Sequence, residues 1–115
     1  MRTKHSPAAR RRKKKVLKLA QGYRSKRSKV YRRAAETVRR ALRYAYRDRK
    51  QKKREFRSLW VVRINAAVRE RGLSYNQFIH GLKANNISLS RDILAHLAAE
   101  EPVVFDKLIE VVKGT

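Results

Sequence analysis

A chain of 115 residues has room for one ordinary domain, but its net charge of +23 is held unevenly. Residues 1–60 carry 25 of the 32 Lys and Arg with Glu36, Asp48 and Glu55 as their acids, whereas residues 61–115 are close to neutral. The lack of Cys excludes disulfides and thiolate metal sites, and no apolar run approaches the roughly 18 residues that a membrane-spanning helix needs.

With two prolines, four glycines and no sustained alternation of apolar and polar residues, the pattern predicts an all-α protein. Met1 to His5 reads as a polar tail with no apolar stretch of the kind a secretory signal carries, which makes a cytoplasmic protein the expectation. Ser6 as N-cap and Pro7 at the first helical position open a basic helix that runs to about Ala20 and stops at Gly22. Gly22 to Lys29 reads as a connection that a ligand orders, with Ser28 placed to cap the next helix. Between Lys29 and Arg71 there is neither Gly nor Pro, and abundant Ala, Arg, Lys and Glu favour a helix. A single helix of about 40 residues is on the order of 60 Å long.

The first half of that helix has a thin stripe of Val30, Ala34, Val38, Ala41, Leu42 and Ala45, too narrow and too rich in alanine to build a core. Its second half strengthens to Phe56, Leu59, Trp60, Ile64, Ala67 and Val68, the face expected to pack in a C-terminal core. The chain therefore divides into a basic helical extension, residues 1–58, and a small all-α globular domain, residues 59–115. Gly72 ends the long helix, and Ser74-Tyr75-Asn76-Gln77 matches a capping box for a helix that buries Phe78, Ile79 and Leu82. Asn85 or Asn86 closes it in the left-handed conformation. A further helix presents Ile93, Leu94 and Leu97, and Glu101-Pro102 starts a last one with Val104, Phe105, Leu108, Ile109 and Val112.

Nothing in the chain is arranged for catalysis. No nucleophile–base pairing, glycine-rich phosphate loop or HExxH pattern is present. His80 and His96 lie 16 residues apart without an acid in ligand spacing, so neither a metal nor an organic cofactor is expected. Glu36 precedes Arg40 by four and Asp48 precedes Lys52 by four, which is the spacing of intrahelical ion pairs. Trp60 continues the apolar face and belongs to the core.

The basic half is different. Like charges at i and i+4 destabilise an isolated helix, so charge all round a helix calls for a polyanion, and nucleic acid comes first. Arginine outnumbers lysine there, favouring bidentate phosphate contacts. Interleaved tyrosines can stack on unpaired bases, which points to structured RNA before plain duplex DNA. The candidate contacts are Arg10, Arg11, Arg12, Lys13, Lys14, Lys15 and Lys18 on the first helix, and Tyr23, Arg24, Lys26, Arg27 and Lys29 in the connection. On the long helix they are Tyr31, Arg32, Arg33, Arg39, Arg40, Arg43, Tyr44, Tyr46, Arg47, Arg49, Lys50, Lys52, Lys53 and Arg54. The rival reading is an architectural protein of double-stranded DNA. A membrane-surface helix needs a stronger apolar face than the stripe from Val30 to Ala45.

The run from Lys53 to Asn65, Lys-Arg-Glu-Phe-Arg-Ser-Leu-Trp-Val-Val-Arg-Ile-Asn, followed by Arg69, resembles the signature of the bacterial large-subunit ribosomal protein family numbered twenty. So do Leu17 to Tyr23, Tyr44 to Lys50, and Ser74 to Ile79 leading into Gly81-Leu82-Lys83, in order along nearly the whole chain. Asn86 stands where the family often has Gly, and Asp92 where a basic residue is usual. The resemblance implies a helical extension threaded into large-subunit ribosomal RNA, a small docked all-α domain, early RNA binding and a part in subunit assembly, without peptide-bond chemistry. It also implies neighbouring ribosomal proteins as partners and a monomer within the ribosome. Arg57, Arg63, Asn65 and Arg69 become candidate RNA contacts through the same signature.

Overall fold

The computed structural model describes residues 6–114; the expected polar tail, Met1 to His5, lies outside them. Among the described residues there are six helices and no strand, which is the all-α class expected. Two compact units divide at Lys50 and Gln51.

In the first unit, α1 (Pro7–Leu19) starts as read, with Ser6 in extended backbone and its carbonyl accepting from the Arg10 N–H at 3.1 Å. Proline costs nothing at the first helical position, where its missing N–H would have had no partner. Gly22 takes φ +89°, a left-handed conformation that lets the chain turn away. The connection after it departs from expectation, because residues 26–29 form a short helical turn, α2 (Lys26–Lys29). Ser25 at φ +58° sets it up, and Ser28 lies inside it, its Oγ donating to the Ser25 carbonyl at 3.0 Å, so Ser28 does not cap the long helix. Val30 is extended between α2 and α3 (Tyr31–Glu70), the 40-residue helix anticipated from the unbroken run without Gly or Pro.

The basic half does hold a core of its own, contrary to the reading that alanine makes its stripe too weak. Ala20 and Ala34 are fully buried and Val38 nearly so, with Val16, Leu17 and Tyr23 packed against them. The end of α1 and the start of α3 thus share a small apolar cluster. The cluster is small, and burial on that scale stabilises only modestly.

The core of the second unit comprises Ile64, Ala67 and Val68 from α3, Phe78 and Leu82 from α4 (Tyr75–Ala84), Leu94 and Ala95 from α5 (Arg91–Glu100), and Phe105, Ile109 and Val112 from α6 (Pro102–Lys113). Phe78 and Phe105 meet at its centre, ring centroids 5.4 Å apart and tilted by 46°. The capping box is formed: Ser74 Oγ accepts from the Gln77 N–H at 3.3 Å, while Gln77 Oε1 accepts from the Ser74 N–H at 3.0 Å. Gly72 (φ +81°) and Asn86 (φ +56°) take the left-handed conformations that end α3 and close α4. Arg71 fastens the end of α3 to α6, its Nε donating to Asp106 and its Nη1 to the Ala67 carbonyl at 2.8 Å, with the guanidinium 5.2 Å from the Phe105 ring centroid.

Some apolar residues expected inside are on the surface. Phe56, Leu59, Ile93 and Val104 are exposed, and Ile79, Leu97, Leu108 and Trp60 are half-buried at the core's margin. On α3 the reason is reach: burial begins at Trp60 and is complete at Ile64, so Phe56 and Leu59 lie on the right face but a turn or more before it.

Candidate nucleic-acid interface

The helices place the basic residues of the first unit outward. Arg10, Arg11, Arg12, Lys13, Lys14, Lys15 and Lys18 on α1 are exposed, as are Arg24 in the turn and Lys26, Arg27 and Lys29 on α2. Along α3 the same holds for Tyr31, Arg32, Arg33, Arg39, Arg40, Arg43, Tyr44, Tyr46, Arg47, Arg49 and Lys50. In the second unit Lys52, Lys53, Arg54, Arg57, Arg63 and Arg69 are exposed too. Two candidates differ: Asn65 is half-buried, and Tyr23 is spent on the alanine cluster.

Compensation by acids is sparse. Among the described residues, Arg33 and Arg47 are the two members of the candidate set with an acidic partner: Glu36 at 4.0 Å and Asp48 at 3.1 Å. The expected pairs Glu36 with Arg40 and Asp48 with Lys52 are not the ones formed; the nearer arginines at i−3 and i−1 take the carboxylates instead. Both pairs are well exposed, so water and salt screen them and they remove little of the field. The remaining guanidinium and ammonium groups of the set form no ion pair among the described residues, which leaves a strongly positive surface.

Aromatic rings organise part of this charge. The Arg47 guanidinium lies 4.6 Å from the Tyr44 ring centroid, the Lys50 ammonium 4.6 Å from Tyr46, and the Lys13 ammonium 5.6 Å from Tyr31. Each ring attracts a cation by its quadrupole and holds a long side chain in a narrower range of positions. Further on, Lys52 lies 5.9 Å from the Phe56 ring, which is 6.1 Å from Trp60. Sequence reasoning gave Phe56 to the core and left it out of the interface. The signal that places it outside is the basic residue four positions before it, facing the same side of the helix.

Among the described residues no three His, Asp or Glu gather where they could hold a metal ion, and no helix is long and apolar enough to cross a membrane. His96 has an acid four residues on, Glu100, at 3.8 Å, a partner overlooked in the spacing of the sequence; both side chains are exposed. At the start of α5 the Asp92 carboxyl is held below its usual range by the Ser90 hydroxyl and by the Ile93 N–H, as befits a helix N-terminus.

Comparison with known proteins bears on the chain as a whole. The family described as Ribosomal protein L20 matches residues 2–108. The large ribosomal subunit protein bL20 of Desulfatibacillum aliphaticivorans is 58% identical over 108 residues, 94% of this chain and 93% of that protein. Its counterpart in Oleidesulfovibrio alaskensis is 58% identical over 114 residues, 99% of this chain and 97% of the relative. That of Acholeplasma laidlawii is 54% identical over 112 residues, 97% and 89% respectively. With matches of that extent over both the basic helices and the small core, the chain belongs to the ribosomal protein L20 family.

Proposed function

We propose that this chain is a structural constituent of the bacterial large ribosomal subunit that binds large-subunit ribosomal RNA directly and promotes subunit assembly in the cytoplasm. The observation that carries the reading is the near absence of acidic partners for the exposed cations of α1, α2 and the first part of α3. Residues 1–58 act as the RNA-binding extension, and residues 59–115 as the small domain that positions it. Where RNA helices converge, mutual repulsion of phosphates opposes packing; cations supplied on a helix replace condensed counterions and lower that repulsion. The chain works as a monomer beside neighbouring large-subunit proteins, and takes no part in peptide-bond chemistry.

Binding of a large-subunit ribosomal RNA transcript, measured by filter retention alongside a DNA duplex of equal length, tests the reading. The unsubstituted chain should prefer the RNA. Replacing Arg47, Arg49 and Lys50 together by Gln should weaken RNA binding by roughly tenfold to a hundredfold, three exposed ionic contacts being removed. Asp92→Asn with Glu110→Gln should leave it nearly unchanged. Equal losses from the two sets, or equal affinity for the DNA, would overturn the assignment and favour an architectural DNA-binding protein.

A further inference from the structure

In the first unit, α2 and the start of α3 bring three arginines around a single hollow. Arg27 comes from α2, while Arg33 and Arg40 come from α3, and together with Glu36 and Thr37 they line a concavity of about 280 Å³. Arg33, Thr37 and Arg40 share a helix face by their spacing of four and three, and the extended residue Val30 is what brings Arg27 to the same side. A second hollow, lined by Glu36, Arg39, Arg40 and Arg43, adjoins the first, so Glu36 and Arg40 border both.

The donors there are of one kind. Thr37 Oγ1 donates its proton to the Arg33 carbonyl at 2.8 Å, which leaves only lone pairs facing outward. Glu36 stands 4.0 Å from Arg33 Nη1, an ion pair at a distance too long for a hydrogen bond. Three arginines lining one space, of which Arg33 alone has an acidic partner, suit a tetrahedral oxyanion that accepts from several directions at once. A carboxylate ligand would offer two oxygens to three forks, and a neutral ligand would leave their charge uncompensated.

We propose that Arg27, Arg33 and Arg40 form a seat for a single backbone phosphate of the bound RNA, with Glu36 as the wall that separates it from the adjoining hollow. The proposal rests on the RNA-binding reading and adds a stoichiometry to it: three guanidinium groups serve one phosphate, whereas dispersed cations serve one each. Repulsion among the three arginines is relieved when the phosphate enters, so the seat gains more from one anion than three separate side chains would.

Two measurements on the full chain test this. Counterion release counts phosphates and not arginines, at about 0.7–0.9 in the slope of log affinity against log salt for each phosphate neutralised. Replacing Arg27, Arg33 and Arg40 together by Gln should therefore reduce the slope for a large-subunit ribosomal RNA transcript by about 0.7–0.9. A reduction of about 2 or more would mean a phosphate for each arginine, and no reduction would mean an unused hollow; either overturns the seat. Should the unsubstituted chain fail to bind the RNA, the broader reading fails, and the second measurement still decides the seat. In a titration with inorganic phosphate, followed by the arginine Nε resonances, Arg27, Arg33 and Arg40 should saturate on one common isotherm that Arg40→Gln removes. Shifts that rise together and without saturation in all arginines would overturn it.

Discussion

Gly81 gives the most exacting test of how the small domain is packed. It lies in the interior of α4 and is buried, facing the side chain of Val112 on α6. A Cβ added there would fall inside van der Waals contact of Val112 Cγ1, and only 3.1 and 3.2 Å from its Cβ and Cγ2. Overpacking of this kind costs typically about 1–3 kcal/mol, while exchanging glycine for alanine within a helix contributes roughly 1 kcal/mol in favour. Gly81→Ala should thus destabilise by about 1 kcal/mol net, a fall of about 4–8 °C in Tm for a domain of this size. In a Val112→Ala background both Cγ contacts are gone and only the Cβ contact at 3.1 Å remains, so the same substitution should cost much less and come out near neutral. Urea unfolding followed by the fluorescence of Trp60, the single tryptophan, reports on this directly, since its ring packs at the margin of the same core. If Gly81→Ala raises stability equally in both backgrounds, the last turn of α6 yields freely and the close approach of α4 and α6 is not a constraint.

Three further outcomes are expected from the same contacts. With about ten phosphates engaged, the affinity of the unsubstituted chain for ribosomal RNA should fall with salt at a slope of roughly −7 to −9, and a slope near −2 would leave most of the basic surface idle. Arg71→Ala should destabilise by about 2 kcal/mol in a thermal melt, because it removes a charged hydrogen bond to the Ala67 carbonyl and the contact with Phe105 as well as the ion pair. Asp106→Ala should cost less than about 1 kcal/mol, since that carboxylate is half-exposed and screened; equal losses would place the energy in the ion pair alone. The depressed Asp92 pKa means that its contribution to stability is complete above the ordinary carboxylate range and is lost as pH falls through the lowered folded value. Titration of the Asp92 carboxyl by NMR should show that value moving up on Ser90→Ala, and an unmoved value would show that the Ser90 hydroxyl is not its cause.

Helix identity was legible wherever a local stereochemical rule governs it. Pro7, the Ser74–Gln77 box, Gly72 and Asn86 each announce an end, and each end is found where it was read. What depends on distance along a helix was not legible. The period that puts Phe56, Trp60 and Ile64 on one face says nothing about where the partner helices stop, so the burial of Phe56 was misread while that of Ile64 was not. The alanine cluster escaped for a different reason: hydropathy scores Ala20 and Ala34 as weak, although both are fully buried. The exposure of the basic side chains follows from their charge, but the convergence of Arg27 with Arg33 and Arg40 depends on the turn at α2, which the composition of Gly22 to Lys29 conceals.

The alanine cluster also sets a rhythm. Three small buried residues hold the first unit together, against ten in the second, so the two should open on different timescales. Amide hydrogens of α1 should exchange with solvent through frequent local opening, whereas those of Ile64 to Val68 should wait for global unfolding. On the proposed reading, in which the cations are laid among crowded RNA strands, a readily reversible clasp is an asset. The N-terminal helices would part, be threaded while loose and close again in place, while the larger core holds the small domain in a single fold.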